Sequence, residues 1–353
     1  MLAGQIIGQS SGTASPPLLG AIMSASTTEV NLIDKIQDAR QKILAELSKA
    51  IIGQQEVIEQ LMISLFAGGH CLITGPPGLA KTLLVSSVAQ VFDLKFNRIQ
   101  FTPDLMPVDI VGTEILQEAT DGHRELSFVK GPVFANVILA DEINRTPPKT
   151  QAAMLEAMQE HQVTAAGIRH PLPEPFFVLA TQNPIEMEGT YPLPEAQLDR
   201  FLFNVVIDYL SPEDELAVVL QTTSRKSETI ESLFTAQDVL EFQSIVRQVP
   251  IAEPIAEYAV RLVAATRPGT EHALDFADDL IGWGAGTRAS QTLVLCAKAR
   301  ALLNGRSHVQ TEDIVALAKP ALRHRVLPTY KAEAEGIDIE QIIERLIETV
   351  PQP

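Results

Sequence analysis

The stretch His70-Cys-Leu-Ile-Thr-Gly-Pro-Pro-Gly-Leu-Ala-Lys-Thr82, followed directly by the apolar run from Leu83 to Phe92, constrains this chain more than any other segment. It predicts a short buried strand, a glycine-turned loop and a helix in immediate succession. A loop that enters a helix in this way aims backbone N–H groups inward at the helix N-terminus, where the helix dipole also favours negative charge. The result is an anion cradle that holds a triphosphate with little help from side chains. Gly75, Pro76, Pro77, Gly78, Leu79, Ala80, Lys81 and Thr82 form that cradle. Lys81 is expected to reach the terminal phosphates and Thr82 to offer its hydroxyl to magnesium. One letter departs from the strict pattern, because Ala80 stands where glycine is usual. A methyl group is expected to fit there only if the residue is already helical. The bland alternative is a Gly-Pro turn ahead of an ordinary helix.

A second feature gives the loop its chemical context. Val137-Ile-Leu-Ala-Asp-Glu142 is four apolar residues ending in two carboxylates, the pattern of a buried parallel strand that delivers acids at its C-terminal edge. Asp141 is expected to hold magnesium through water, and Glu142 to orient the attacking water or accept its proton. Neighbouring side chains on a strand point to opposite faces, so both acids act together only if the chain turns there. In isolation the pair would read as a helix cap. Pro175 to Thr181 is a further apolar strand ending in Gln182-Asn183-Pro184, and Asn183 is placed to hydrogen-bond the attacking water or the terminal phosphate, although an asparagine before proline is more often a turn residue.

Taken in order, the chain opens with a Gly-, Ser-, Thr- and Pro-rich stretch over 1–28, read as a disordered tail without a basic secretory n-region. Helical periodicity follows from Asn31 to Ala50. It recurs at Val57, Ile58, Leu61, Met62 and Leu65, with Gly68 and Gly69 as the stop. Between the two helices, Ile51-Ile-Gly-Gln54 is either an adenine rest or a connecting turn. Asp121-Gly122 joins Glu114–Ala119 to Arg124–Val129 as an exposed hairpin inserted at about 113–130. Its tip offers only His123 and Arg124 as cations, beside Asp121 and Glu125, which is poor equipment for nucleic acid.

Strands and helices alternate as far as Leu210-Ser211-Pro212, and the remainder reads as helical. The fold class is therefore α/β, a parallel sheet flanked by helices over 29–210, followed by an all-helical unit over 211–353. Two arginines stand out. Arg200 follows Asp199 just before the strand from Phe203, and reads either as a functional guanidinium or as a salt-bridged surface residue. Arg288 lies at the start of a helix opened by Gly282-Trp-Gly-Ala-Gly286, where a cation works against the helix dipole unless something anionic is close.

Composition narrows the partners. The net charge of -17 opposes a phosphate backbone, so neither nucleic-acid binding nor membrane insertion is expected; no apolar run has spanning length. Cys71 and Cys296 are far apart in apolar contexts, which suits buried thiols in a reducing, cytoplasmic setting. No Asn-Lys-x-Asp guanine-reading motif follows the acidic strand, which favours ATP over GTP.

Together these segments resemble the AAA+ ATPases. Within them, Gly75-Pro-Pro-Gly-Leu-Ala-Lys-Thr82, Phe101-Thr-Pro-Asp-Leu-Met-Pro107, Phe128-Val-Lys-Gly-Pro-Val-Phe134, Leu139-Ala-Asp-Glu-Ile-Asn-Arg145, Ala180-Thr-Gln-Asn-Pro184 and Tyr191-Pro-Leu-Pro-Glu-Ala-Gln-Leu-Asp-Arg-Phe201 resemble the MoxR family. The family commonly carries alanine at the Ala80 position, and usually has proline where this chain has Thr287. The resemblance implies an AAA+ core with a helical lid, ATP and Mg2+ as ligands, and a homo-oligomeric, hexameric ring with nucleotide between subunits. It makes Asn183 the sensor-1 residue, Arg200 the arginine finger and Arg288 the sensor-2 residue. It further implies chaperone-like maturation, metal insertion or assembly of client proteins with a von Willebrand A-domain partner. A nucleic-acid ring motor and a nucleotide-dependent scaffold are the alternatives.

Overall fold

The computed structural model describes residues 36–118, 124–182, 189–223 and 229–353. The 1–28 tail and the Asp121-Gly122 turn lie outside the described residues.

The chain begins with helix α1 over 36–47, then α2 (Gln55–Ala67), β1 (Cys71–Thr74), α3 (Lys81–Val91), β2 (Phe96–Gln100), α4 (Pro107–Val111), β3 (Gly112–Glu118) and β4 (Arg124–Lys130). It continues through β5 (Val137–Asp141), α5 (Pro148–Glu160), β6 (Gln162–Ala165), β7 (Ile168–Pro171), β8 (Phe177–Gln182), α6 (Glu195–Leu198) and β9 (Phe203–Val206). Then follow α7 (Pro212–Thr222), α8 (Ala236–Gln248), α9 (Glu253–Ala264), α10 (Ala277–Leu280), β10 (Ile281–Trp283), α11 (Thr287–Leu303), α12 (Thr311–Leu322), β11 (Leu327–Pro328), α13 (Tyr330–Ala334) and α14 (Ile339–Thr349).

The heptad-like spacing that predicts α2 buries Val57, Ile58, Leu61, Met62 and Leu65 together, and Gly68 ends the helix in the left-handed region with its N–H bonded to the Leu65 and Ser64 carbonyls. Five strands form a parallel sheet in the order β2-β5-β8-β1-β9. Side chains alternate between its two faces, as the pleat requires. Cys71, Ile73, Leu139, Phe177 and Leu179 enter a core shared with α2, α3 and the lid helices, whereas Leu72, Ile138, Ala140, Val178 and Ala180 enter a second core under α4 and α5. The first core runs without a break from α2 into α8, α9, α11, α12 and α14. Leu61 is fully buried within it. Leu61→Ala is therefore expected to destabilise the fold by about 2–5 kcal/mol, read as a lowered urea midpoint at unchanged slope; an unshifted midpoint would contradict this packing.

Strand order also makes the site. The chain leaves β1 for β2 at the far edge of the sheet, and after β8 crosses to β9 on the other side of β1. Such a reversal opens a crevice at the carboxyl ends of the strands. Thr74 lies opposite both Gln182 and Val206, and Ala140 opposite Ala180, so the ends of β1, β5 and β8 arrive at nearly one level.

The inserted hairpin forms from β3 and β4, with Leu116 opposite Leu126 and both exposed. A second antiparallel hairpin, β6–β7, was not legible beforehand: four-residue strands carry too few positions to show a period. The segment after β9 is not wholly helical either, since β10 and β11 pair antiparallel. Cys71 and Cys296 are both free and buried, and burial pushes the Cys71 thiol up to about 12. Among the described residues no helix is long and apolar enough to cross a membrane.

Candidate active site

Between β1 and α3 the loop turns at two glycines for different reasons. A Cβ on Gly75 would run into the carbonyl oxygen of Ile207, whereas Gly78, at φ +84°, has open space around it and is required for its backbone angle. Ala80 does not follow expectation. Instead of being helical it takes the left-handed conformation, φ 53° and ψ 28°, as the residue that caps α3. For an L-residue this costs about 1–2 kcal/mol. The loop has to reverse direction before α3 begins, and Ala80 absorbs the turn.

Lys81 opens α3, half-buried, with Nζ donating to the Gly75 carbonyl at 2.5 Å. Burial draws its pKa down, and the charges of Asp141 and Glu142 oppose that shift. A cavity of about 440 Å³ is lined by Pro77 to Thr82 on one wall and by Arg98, Asp141, Glu142 and Thr181 on the other. No side chain caps α3. Lys81 and Thr82, the first two residues of the helix, line the cavity, so an ammonium and two N–H groups stand opposite two carboxylates. That donor set fits a triphosphate, and Thr82 and Asp141, both on the cavity wall, carry oxygens of the kind a magnesium ion takes.

The two acids reach one cavity because the chain kinks between them. Asp141 is the last residue of β5, and Glu142 takes φ 57°, ψ 48°, which cancels the alternation that would send it to the opposite face. Thr181 ties them together: its hydroxyl donates to Asp141 Oδ1 at 2.6 Å and accepts from the Glu142 N–H at 2.8 Å. Arg98 donates to Asp141 Oδ2 from Nε at 3.0 Å and from Nη2 at 2.5 Å. Glu142 Oε2 accepts from Gln100 Nε2 at 2.9 Å and from Arg145 Nη1 at 2.9 Å.

Sequence reasoning missed Arg98, Gln100, Arg145 and Thr181. Arg98 and Gln100 stand beside the acids only because β2 pairs with β5 in the register that sets Gln100 opposite Asp141. The available signal for Thr181 was its position as the polar end of an apolar strand. Asn183 lies outside the described residues.

Arg200 and Arg288 do not line this cavity. They share another one, of about 270 Å³, with Gly68, His70, Met158 and Leu202. Arg200 donates from Nη1 to the Leu155 carbonyl at 3.1 Å, so the salt bridge with Asp199 offered by the sequence is not made. Asp199 faces Arg325 at 2.7 Å and Arg288 at 3.7 Å. Its carboxylate is the anion that offsets a cation in the first turn of α11. Ile51 to Gln54 line a third cavity, of about 460 Å³, together with Asp214 and Leu303.

The model of the ATPase family associated with various cellular activities (AAA) matches residues 70–203, and an AAA lid domain matches 276–346. The first of these ranges contains the loop, both acids and Arg200. Over 313 residues the chain is 42% identical to Chaperone MoxR1 of Mycobacterium tuberculosis, covering 89% of this chain and 82% of that protein. The chain belongs to the MoxR family of AAA+ ATPases. Protein MoxR of Methylorubrum extorquens is 32% identical over 342 residues, 90% of this chain and 96% of its own. A crystal structure from Cytophaga hutchinsonii carrying an ATPase designation superposes with a TM-score of 0.85 at 44% identity, covering 94% of this chain and 98% of that one. This MoxR-family protein is accordingly an ATPase with an α/β core and a helical lid.

Proposed function

We propose that this MoxR-family ATPase hydrolyses ATP with Mg2+ at the interfaces of a hexameric ring. Turnover drives chaperone-like maturation, metal insertion or assembly of client proteins alongside a partner bearing a von Willebrand A domain. One observation supports the interfacial reading above others: loop and acids converge on one cavity, while Arg200 and Arg288 both line another. Each chain then carries two half-sites, and a neighbour's arginines complete the one that holds the phosphates.

In this reading Lys81 and the loop N–H groups hold the phosphates, and Thr82 and Asp141 hold the magnesium. Glu142 accepts a proton from the water that attacks the terminal phosphorus as the bond to ADP oxygen breaks, and Asn183 orients that water. Arg200 and Arg288 of the neighbour meet the charge that develops on the transferring group. Gln100 and Arg145, both on Glu142 Oε2, fix the direction of that carboxylate. The chaperone role draws on the name of the Mycobacterium tuberculosis relative. The acidic balance of -17 disfavours the nucleic-acid motor.

Lys81→Ala tests the cradle. Loss of one charged hydrogen-bonding partner is expected to weaken ATP binding by about 10–100-fold, measured by titration calorimetry with Mg2+ present. Unchanged affinity would remove Lys81 from the site.

A further inference from the structure

The turn that carries Arg200 is held by three consecutive residues, 323–325, that directly follow α12. Arg325 is buried, its side chain only 2% exposed, and its donors point almost entirely at that turn. Nε donates to Asp199 Oδ1 at 2.7 Å, Nη1 to the Leu202 carbonyl at 3.0 Å, and Nη2 to the Phe201 carbonyl at 2.6 Å and the Asp199 carbonyl at 3.2 Å. Nη1 also reaches the Ala321 carbonyl in the last turn of α12, and Nη2 lies 3.3 Å from Thr292 Oγ1, one turn along α11 from Arg288. His324 Nε2 lies 3.1 Å from the Phe201 carbonyl, and Arg323 donates to the Asn204 carbonyl at 2.8 Å. The same Asp199 carboxylate that receives Arg325 faces Arg288.

We infer that Arg325 is a positioning residue for ATP hydrolysis in the adjacent subunit, acting through the Asp199–Leu202 turn to fix Arg200 and, through Asp199 and Thr292, Arg288. The inference rests on the reading that Arg200 acts in trans. Its physical basis is the fixed fork of the guanidinium, which presents five N–H donors in one plane. The acceptors named above use all of them, and an ammonium with three donors leaves some of those carbonyls unpaired. A catalytic charge displaced by about 1 Å loses on the order of 10²-fold in rate, so a buried fork that sets a turn has leverage on the chemistry without touching nucleotide.

The test uses the full chain as Arg325→Lys. Expected is a fall in kcat of about 10–100-fold, with KM for ATP within about twofold of wild type, because the variant's own loop and acids are untouched. Mixing it with excess Glu142→Gln chain, which supplies an intact Arg200 turn and whose own residual turnover is measured alone and subtracted, is expected to restore most of the rate per Arg325→Lys subunit. A merely structural defect would not be repaired by a neighbour. Arg200→Ala is mixed in parallel. Recovery by Arg200→Ala alone overturns the role of Arg325 and leaves the trans reading standing, whereas recovery by neither overturns both. A full rate for Arg325→Lys alone also overturns the role. If Arg325→Lys does not fold, Asp199→Asn keeps an oxygen for Nε and removes the shared charge. It is expected to lower kcat by about 3–10-fold with the same recovery on mixing, and absence of that recovery, where Arg200→Ala recovers, overturns the role.

Discussion

Replacing Arg200 by alanine is expected to cut ATP turnover by about 10³–10⁵-fold while ATP binding to the altered chain stays near wild type. The split follows from where the side chain sits. Arg200 lines the cavity it shares with Arg288, away from Lys81, Asp141 and Glu142, so the altered chain keeps its whole phosphate cradle. In the proposed interfacial reading, what it loses is a guanidinium that meets the charge on the transferring phosphoryl group of another subunit. Because that charge is largest in the transition state, the loss falls on kcat more than on KM. Steady-state kinetics together with an independent ATP-binding measurement give both quantities. A large rise in the ATP dissociation constant at unchanged kcat would place Arg200 in its own subunit's site and end the interfacial account.

The second large effect is expected from Glu142→Gln. The amide keeps the size of the carboxylate and cannot take a proton, so turnover is expected to fall by about 10²–10⁴-fold with ATP still bound. Glu142 accepts from Gln100 and Arg145 rather than from the loop, so the exchange leaves the loop's N–H donors in place. The variant should therefore persist in the ATP state. Affinity capture of it with ATP, and separately without nucleotide, is expected to retain a protein with a von Willebrand A domain in the first case only. A wild-type rate would remove Glu142 from the proton transfer. Capture that ignores nucleotide would separate partner binding from the ATPase cycle.

The strand, loop and helix from Cys71 to Val91 were legible because each signal is local: a buried apolar run, glycines where the backbone turns, and a helix behind them. The acids at the end of β5 were legible for the same reason. Ala80 was misjudged because its backbone angle is set by how the loop meets α3, and a single methyl leaves no trace of that in the sequence. Asp199 was offered as the partner of Arg200 on adjacency, yet it bonds Arg325, 126 residues away. Adjacency says little at a turn whose partners come from another helix.

Local chemistry in the sequence thus determined that a glycine-turned loop entering a helix and a pair of carboxylates at a strand end exist, because backbone turns and strand ends are encoded within a few residues. Tertiary structure alone decided which groups meet them. The β2–β5 register brings Arg98 and Gln100 to the acids, the kink at Glu142 aims both carboxylates into one cavity, and the packing of α12 against the 199–202 turn groups Arg200, Arg288 and Arg325. Those choices depend on contacts between segments a hundred or more residues apart in the last case, and on strand pairing in the first, where only the closed core determines what lies beside what.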